Sequence, residues 1–213
     1  GRSPDSTVLD AKVTVEGWTP DNFDGEYAGR VTLAQALARS LNSAAVRVGE
    51  EAGRARVIAT ARRLGLSSPL SPQPSLMLGA FETSLIELTA AYAAIANGGR
   101  AVHPHAIRSI EAADKPLWLA PKPSAPQVAQ AEATASLARM MAGVIEGGTG
   151  RAARLDRPAA GKTGTSQESR DAWFIGWSGD IVTGVWMGND DGAPMPGTTG
   201  GGPPARAWKR FMQ

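Results

Sequence analysis

The stretch AAGKTGTSQESRDAWFIGW, residues 159–177, sets Lys162 between Gly161 and the small residues Thr163, Gly164 and Thr165. Two chemistries use a lysine in such company. Phosphate binding needs G-x-x-x-x-G-K-[ST] between a buried strand and a helix. Counting back from Gly161, the first required glycine falls on Asp156, the preceding RAARLDRPAA is no buried strand, and an aromatic strand pattern follows instead of a helix. The phosphate reading fails on all three counts. The second chemistry is acyl transfer, in which K-T-G accompanies S-D-N and S-x-x-K in serine acyl-enzymes acting on D-alanyl peptides or β-lactams. Ser40-Leu41-Asn42 is the S-x-N candidate. Taken alone it is equally ordinary helix-end polar chemistry, and its weight comes from its place at the end of an amphipathic helix far upstream of the lysine.

The elements that must position these residues are legible as periodicities. Residues 1–30 are rich in Gly, Asp and Pro, with Val13-Thr14-Val15 as a short strand candidate. Thr32 and Gln35 form a capping box ahead of Leu33, Leu37 and Leu41 at helical spacing. Ser43 is a plausible N-cap for a second helix ending near Gly53, and Val57, Ile58, Ala61 and Leu64 mark a third stopped by Gly65. The proline-rich residues 67–74 read as a loop. Ser84 and Glu87 form another capping box, with Leu85, Leu88, Tyr92 and Ile95 as its stripe and Asn97-Gly98-Gly99 as its stop.

Extended segments around Ala106-Ile107 and Leu117-Trp118 predict a hairpin at the sheet margin, followed by a connector carrying Pro121, Pro123 and Pro126. Leu137, Met140, Met141, Val144 and Ile145 line a helix closed by Gly147-Gly148. Strands over 172–177 and 181–187, joined by Ser178-Gly179-Asp180, predict a tight antiparallel hairpin. Pro203-Pro204 opens a last helix carrying Ala207, Trp208 and Phe211. Helices, then strands, then a closing helix point to an α+β fold with an antiparallel sheet.

A net charge of +2 in 213 residues, with no basic run, gives no argument for nucleic acid. With no cysteine, disulfides are excluded, and no apolar run approaches the ~20 residues of a membrane-spanning helix. His103-Pro104-His105 lacks a third metal ligand at suitable spacing and reads as a strand end. Asn189-Asp190-Asp191-Gly192 lacks the glutamate of a calcium loop and reads as a polar turn. Trp173, Phe174, Trp177 and Trp186 read as core and sheet-face residues, and Gly147-Gly148-Thr149-Gly150 as a helix stop or a flexible cleft edge.

Four segments, VTLAQALARSLNSAAVRV, LTAAYAAIANGG, GKTGTSQESRDAWFIGW and GVWMGNDD, resemble in that order the transpeptidase domain of penicillin-binding proteins, most closely the bifunctional class A kind. The resemblance covers essentially the whole length, with Leu41 where the family motif often has Asp. It implies an α+β, serine β-lactamase-like fold over residues 1–213: an extended segment at 1–30, a mainly helical part with S-x-N at 31–150, and a sheet with K-T-G and a closing helix at 151–213. It implies catalytic roles for Ser40, Asn42 and Lys162, with Ser40 relaying a proton to the leaving amine and Asn42 holding the substrate's amide carbonyl. Lys162 and the hydroxyls of Thr163 and Thr165 would receive a substrate carboxylate. The Thr165 N–H would be an oxyanion-hole donor, and Gly164 would let a ligand backbone approach.

One departure is large. No serine in the chain is followed three places later by lysine. The expectation is therefore a fragment truncated on its N-terminal side, with S-x-x-K just upstream of Gly1. The parent is expected to be anchored in a bacterial inner membrane with this domain in the periplasm. It is expected to bind peptidoglycan stem peptides ending in D-Ala-D-Ala, β-lactams and other cell-wall synthesis proteins, without a cofactor. Two alternatives stay open at this point. One is a non-catalytic module binding stem peptide or a partner protein, the other a D,D-carboxypeptidase or β-lactamase relative.

Overall fold

The computed structural model describes residues 2–113, 115–121 and 124–213. Strands β1 (Thr7–Asp10) and β2 (Gly29–Thr32) pair antiparallel and bury Val8, Asp10 and Val31. β2 runs directly into helix α1 (Leu33–Arg39) through Thr32. Thr32 Oγ1 accepts from the Gln35 N–H at 3.1 Å, and Gln35 Oε1 accepts from the Thr32 N–H at 2.9 Å. Two donors that the helix start would otherwise orphan are thereby satisfied. Helices α2 (Asn42–Ala52) and α3 (Arg54–Arg63) follow, separated by Gly53 at φ 89°. A 3-10 turn at Pro74–Leu78 then leads to α4 (Leu85–Ala96).

β3 (Ser109–Ala112) and β4 (Lys115–Leu119) form a hairpin, and α5 (Ala131–Glu146) precedes the main sheet. That sheet is β5 (Ala160–Thr165), β6 (Asp171–Ser178) and β7 (Ile181–Gly188), antiparallel and in that order, closed by α6 (Pro203–Met212). Alternation along the strands assigns its faces. Phe174, opposite Val185, points to α6 and meets the Trp208 ring edge-on at 5.2 Å between centroids. Ile175, opposite Gly184, points the other way, toward α4: a Cβ on Gly184 would lie 2.2 Å from Thr89 Oγ1. One core gathers Ile145, Ala153, Phe174, Ala205, Trp208 and Met212, and a second gathers Val8, Val31, Ala36, Leu41 and Ala44 around α1.

Several expectations shift. The first strand is at 7–10, where the buried partners are, while Val15 makes only an isolated bridge to Trp18. Ser43 does not cap α2, which starts two residues earlier than expected, with Leu41 at its N-cap; the Ser43 hydroxyl is buried and donates to Asp10. Ser84 caps α4, but the box is half-made. Glu87 turns its carboxylate to the hydroxyls of Ser67, Ser68 and Thr83, and the bonds from Ser67 and Ser68 hold its pKa at about 2.

The first strand of the exposed hairpin lies beyond Ala106-Ile107, and β3–β4 forms a sheet of its own. His103 and His105 lie in irregular backbone. Phe211 is 70% exposed and Trp186 is also exposed, because both lie on outer surfaces of their elements. Gly1, and Pro123 of the expected connector, lie outside the described residues.

Candidate active site

Helix α1 ends in a turn that the motif letters do not show. Ser40 adopts the left-handed conformation, φ 57° and ψ 47°. Its N–H donates to Leu37 O at 3.1 Å, and the Leu41 N–H donates to Ala36 O at 3.0 Å. This pair of bonds is the Schellman arrangement, and its usual apolar contact is present, because Leu41 and Ala36 share the α1 core. Glycine takes this conformation freely, whereas a serine pays roughly 1–2 kcal/mol. Strain of this kind persists where surrounding structure over-determines it. The tail of α1 is also pinned from outside: the Thr149 N–H donates to Ala38 O at 3.0 Å. A Cβ on Gly148 would lie 2.1 Å from that same oxygen.

Lys162 stands on β5 opposite Ile175, on the α4 side of the sheet. Its Nζ donates to Ser40 Oγ at 2.7 Å and to Thr163 O at 2.9 Å, with Thr163 Oγ1 at 3.5 Å. The three contacts match the three hydrogens of an ammonium group. Burial lowers the Lys162 pKa to about 8. At neutral pH the cation therefore predominates, yet it is poised to exchange a proton more readily than an exposed lysine.

β5 is an edge strand of its sheet. The Ser166 N–H donates across to Asp171 O at 3.0 Å. Because antiparallel ladder groups alternate, the N–H and C=O of Thr163 and Thr165 point to the other, unpaired edge. Thr163 O on that edge is the carbonyl that Lys162 Nζ occupies. The Thr163 hydroxyl pairs with that of Thr149 at 2.7 Å, and Thr165 Oγ1 accepts from the Gly200 N–H at 3.1 Å. The close backbone approach at Gly164 is made within the chain: a Cβ on Gly200 would lie 2.4 Å from Gly164 O. Asn42, the first residue of α2, donates from Nδ2 to Asp21 O at 2.8 Å, which leaves Oδ1 and its second N–H for other partners. Tertiary structure thus brings Ser40, Lys162 and the Thr163–Thr165 edge together, with Asn42 two residues from Ser40.

A serine hydroxyl on a half-buried ammonium, beside a strand edge offering an outward N–H, is an arrangement for binding an extended acyl donor and moving a proton. The family model described as "Penicillin binding protein transpeptidase domain" matches residues 3–212. The chain belongs to this transpeptidase family.

It is 40% identical over 176 residues to penicillin-binding protein 1A of Aquifex aeolicus, a match covering 82% of this chain and 24% of that protein. It is 35% identical over 229 residues to penicillin-binding protein 1A of Neisseria meningitidis, covering 100% and 29%. The chain thus spans about a quarter of the length of the curated relatives it matches. Among solved structures, PonA1 of Mycobacterium tuberculosis in complex with penicillin V superposes with a TM-score of 0.89 at 26% identity, covering 99% of this chain and 63% of that one. The mixed helix and antiparallel-sheet architecture expected from the sequence is the one these penicillin-binding proteins have.

For this transpeptidase domain, sequence reasoning set Gly148 and Thr149 at a helix stop or cleft edge without their partners Ala38 and Thr163, and it missed the loop carbonyl of Asp21. Gly147-Gly148-Thr149-Gly150 offered a signal: a glycine directly after a helix stop marks close approach as well as chain reversal. Nothing in the letters pointed to Asp21, whose backbone alone takes part.

Proposed function

We propose that the chain supplies the S-x-N and K-T-G parts of a serine D,D-transpeptidase that cross-links peptidoglycan stem peptides through an acyl-enzyme and is acylated by β-lactams. The observation that carries the reading is the 2.7 Å contact of Lys162 Nζ with Ser40 Oγ beside the unpaired edge of β5. A stem peptide ending in D-Ala-D-Ala lies antiparallel along that edge. Lys162, with the hydroxyls of Thr163 and Thr165, receives its terminal carboxylate, and the Thr165 N–H faces the developing oxyanion. Gly164 adds no side chain beside that edge, and its own backbone is packed against Gly200. Asn42 accepts and donates at the substrate amide.

The nucleophilic serine belongs to an S-x-x-K segment, which this chain does not contain. Its oxygen forms the ester as the C–N bond to the terminal D-Ala breaks, and Ser40 passes a proton to that departing amine. An acceptor amine then attacks the ester carbonyl, forming the cross-link amide as the C–O bond breaks, and the serine oxygen leaves and takes up the proton lost by the amine. No cofactor enters the scheme. The setting we infer is a parent polypeptide anchored in a bacterial inner membrane with this domain in the periplasm; within the described residues no helix is long and apolar enough to cross a membrane. Other cell-wall synthesis proteins are its expected partners.

The absent S-x-x-K also favours a second reading, a non-catalytic module that binds stem peptide through the same cleft. Intact-mass spectrometry after incubation with penicillin separates the two. The chain alone acquires no mass, and the chain joined to its upstream coding sequence acquires one penicilloyl group on a serine outside residues 1–213. An adduct mapped to a serine within 1–213 sinks the role assigned to Ser40. No adduct with the upstream segment present leaves the binding module.

A further inference from the structure

Behind Asn42 lies a buried polar cluster that the proposed reaction does not use. Asp10, at the end of β1, is 0% exposed. Its carboxylate accepts from Asn22 Nδ2 at 2.9 and 3.0 Å, from Ser43 Oγ at 2.5 Å and from the Ala28 N–H at 2.8 Å. Asn22 is itself spent: Nδ2 also donates to Glu26 O at 2.8 Å, and Oδ1 accepts from the Ser43 N–H at 3.3 Å, capping the first turn of α2 from outside. Burial works against the ionised form of Asp10, but the bonds from Ser43, Ala28 and Asn22 outweigh it and hold the pKa below the ordinary aspartate value. An anion beside the first turn of α2 also suits the positive end of the helix.

The arrangement closes a ring around Asn42. Asn42 donates to Asp21 O. The residue after Asn42 is Ser43 and the residue after Asp21 is Asn22, and both are bonded to the one Asp10 carboxylate. We propose that Asp10 is the positioning residue for Asn42, its carboxylate locking both ends of the Asn42–Asp21 hydrogen bond and so fixing where Asn42 presents its free Oδ1. This role rests on the acyl-transfer reading, in which Asn42 meets the substrate. Joining β1 to α2 alone does not call for a buried charge, since Val8, Val31, Leu41 and Ala44 already join those elements by apolar packing. What a carboxylate adds is convergence: two separate segments, at 22–28 and 43, aim donors at one acceptor carried by a third, Asp10.

The test reads geometry, not turnover. In the chain labelled with 15N at asparagine, the Asn42 side-chain amide is followed by its chemical shift and by its hydrogen exchange. In Asp10→Asn the signal moves and exchange accelerates about tenfold, the factor that loss of one hydrogen bond implies. Ser43→Ala, which removes one donor and keeps the charge, shifts the same signal by less. Met212→Ala, in the core around Phe174 and Trp208, lowers the melting temperature and leaves Asn42 untouched.

An unmoved Asn42 signal in a folded Asp10→Asn overturns the proposal, as does an equal shift in Met212→Ala. Should Asp10→Asn not fold, an unmoved signal in Ser43→Ala overturns it and a moved one supports it. Because the readout needs neither nucleophile nor penicillin, it succeeds or fails independently of the acylation assay.

Discussion

Lys162 Nζ and Ser40 Oγ lie 2.7 Å apart across 122 residues of sequence. One group sits on a strand of the main sheet and the other on the strained last turn of α1, whose Ala38 O also accepts from the Thr149 N–H. The first prediction concerns the lysine. In the polypeptide that joins this chain to an S-x-x-K segment, Lys162→Ala slows acylation by penicillin roughly 10- to 150-fold, the range for losing a charge-assisted hydrogen bond. The fold survives, because Lys162 contacts hydroxyls and one carbonyl and leaves the two cores unchanged. Stopped-flow acylation with a melt on the same samples checks both halves; a wild-type rate, or an unfolded variant, removes the assignment.

The lowered pKa has a signed consequence for stability. The folded chain releases the Lys162 proton near pH 8, whereas an unfolded lysine keeps it to about 10.4. Between those values the unfolded state binds more protons, so this group makes the fold more stable as pH rises from 8 toward 10.4 and less stable below. Urea melts across that window show a rising contribution in the wild type that Lys162→Met lacks. Parallel curves for the two proteins would discard burial of the ammonium as the cause.

Ser40→Gly separates stability from activity. Glycine relieves roughly 1–2 kcal/mol of left-handed strain at φ 57° but takes one acceptor from the Lys162 ammonium, a loss of about 1.5–3 kcal/mol, so the two nearly offset and the variant stays within about 2 kcal/mol of the wild type. It also loses the hydroxyl proposed to carry the proton, and acylation in the joined polypeptide falls by at least about 10². Calorimetry paired with acylation kinetics tests it. A loss well beyond about 3 kcal/mol, the full cost of the missing acceptor, contradicts relief of strain, and an unchanged rate contradicts the relay.

Thr32→Ala reaches the site through its supporting helix. It deletes the acceptor for the Gln35 N–H and one arm of the capping box, costing about 0.5–2 kcal/mol. Denaturant midpoints of the two proteins decide the matter, and an unchanged midpoint shows that α1 is held by its packing alone.

Much of this protein is local, and local features are legible in the letters. Thr32 with Gln35, the apolar spacing of α5 and the aromatic strands around Gly179-Asp180 each specify an element through contacts a few residues apart. K-T-G on a strand and S-x-N at a helix end were readable for the same reason, since each motif is one short stretch of backbone. Where a side chain chose between a near and a distant partner, the letters misled. Ser43 looked like a cap and Glu87 like the second half of a box, yet both bond to groups brought from elsewhere: Asp10 for one, Ser67 and Ser68 for the other.

The meeting of Ser40 with Lys162, the outward N–H of Thr165 and the Asp10 ring behind Asn42 were decided by tertiary structure alone. Each depends on the register of one element against another. A sequence states which groups can form a hydrogen bond, while packing of the whole chain selects the pair that comes within three ångströms.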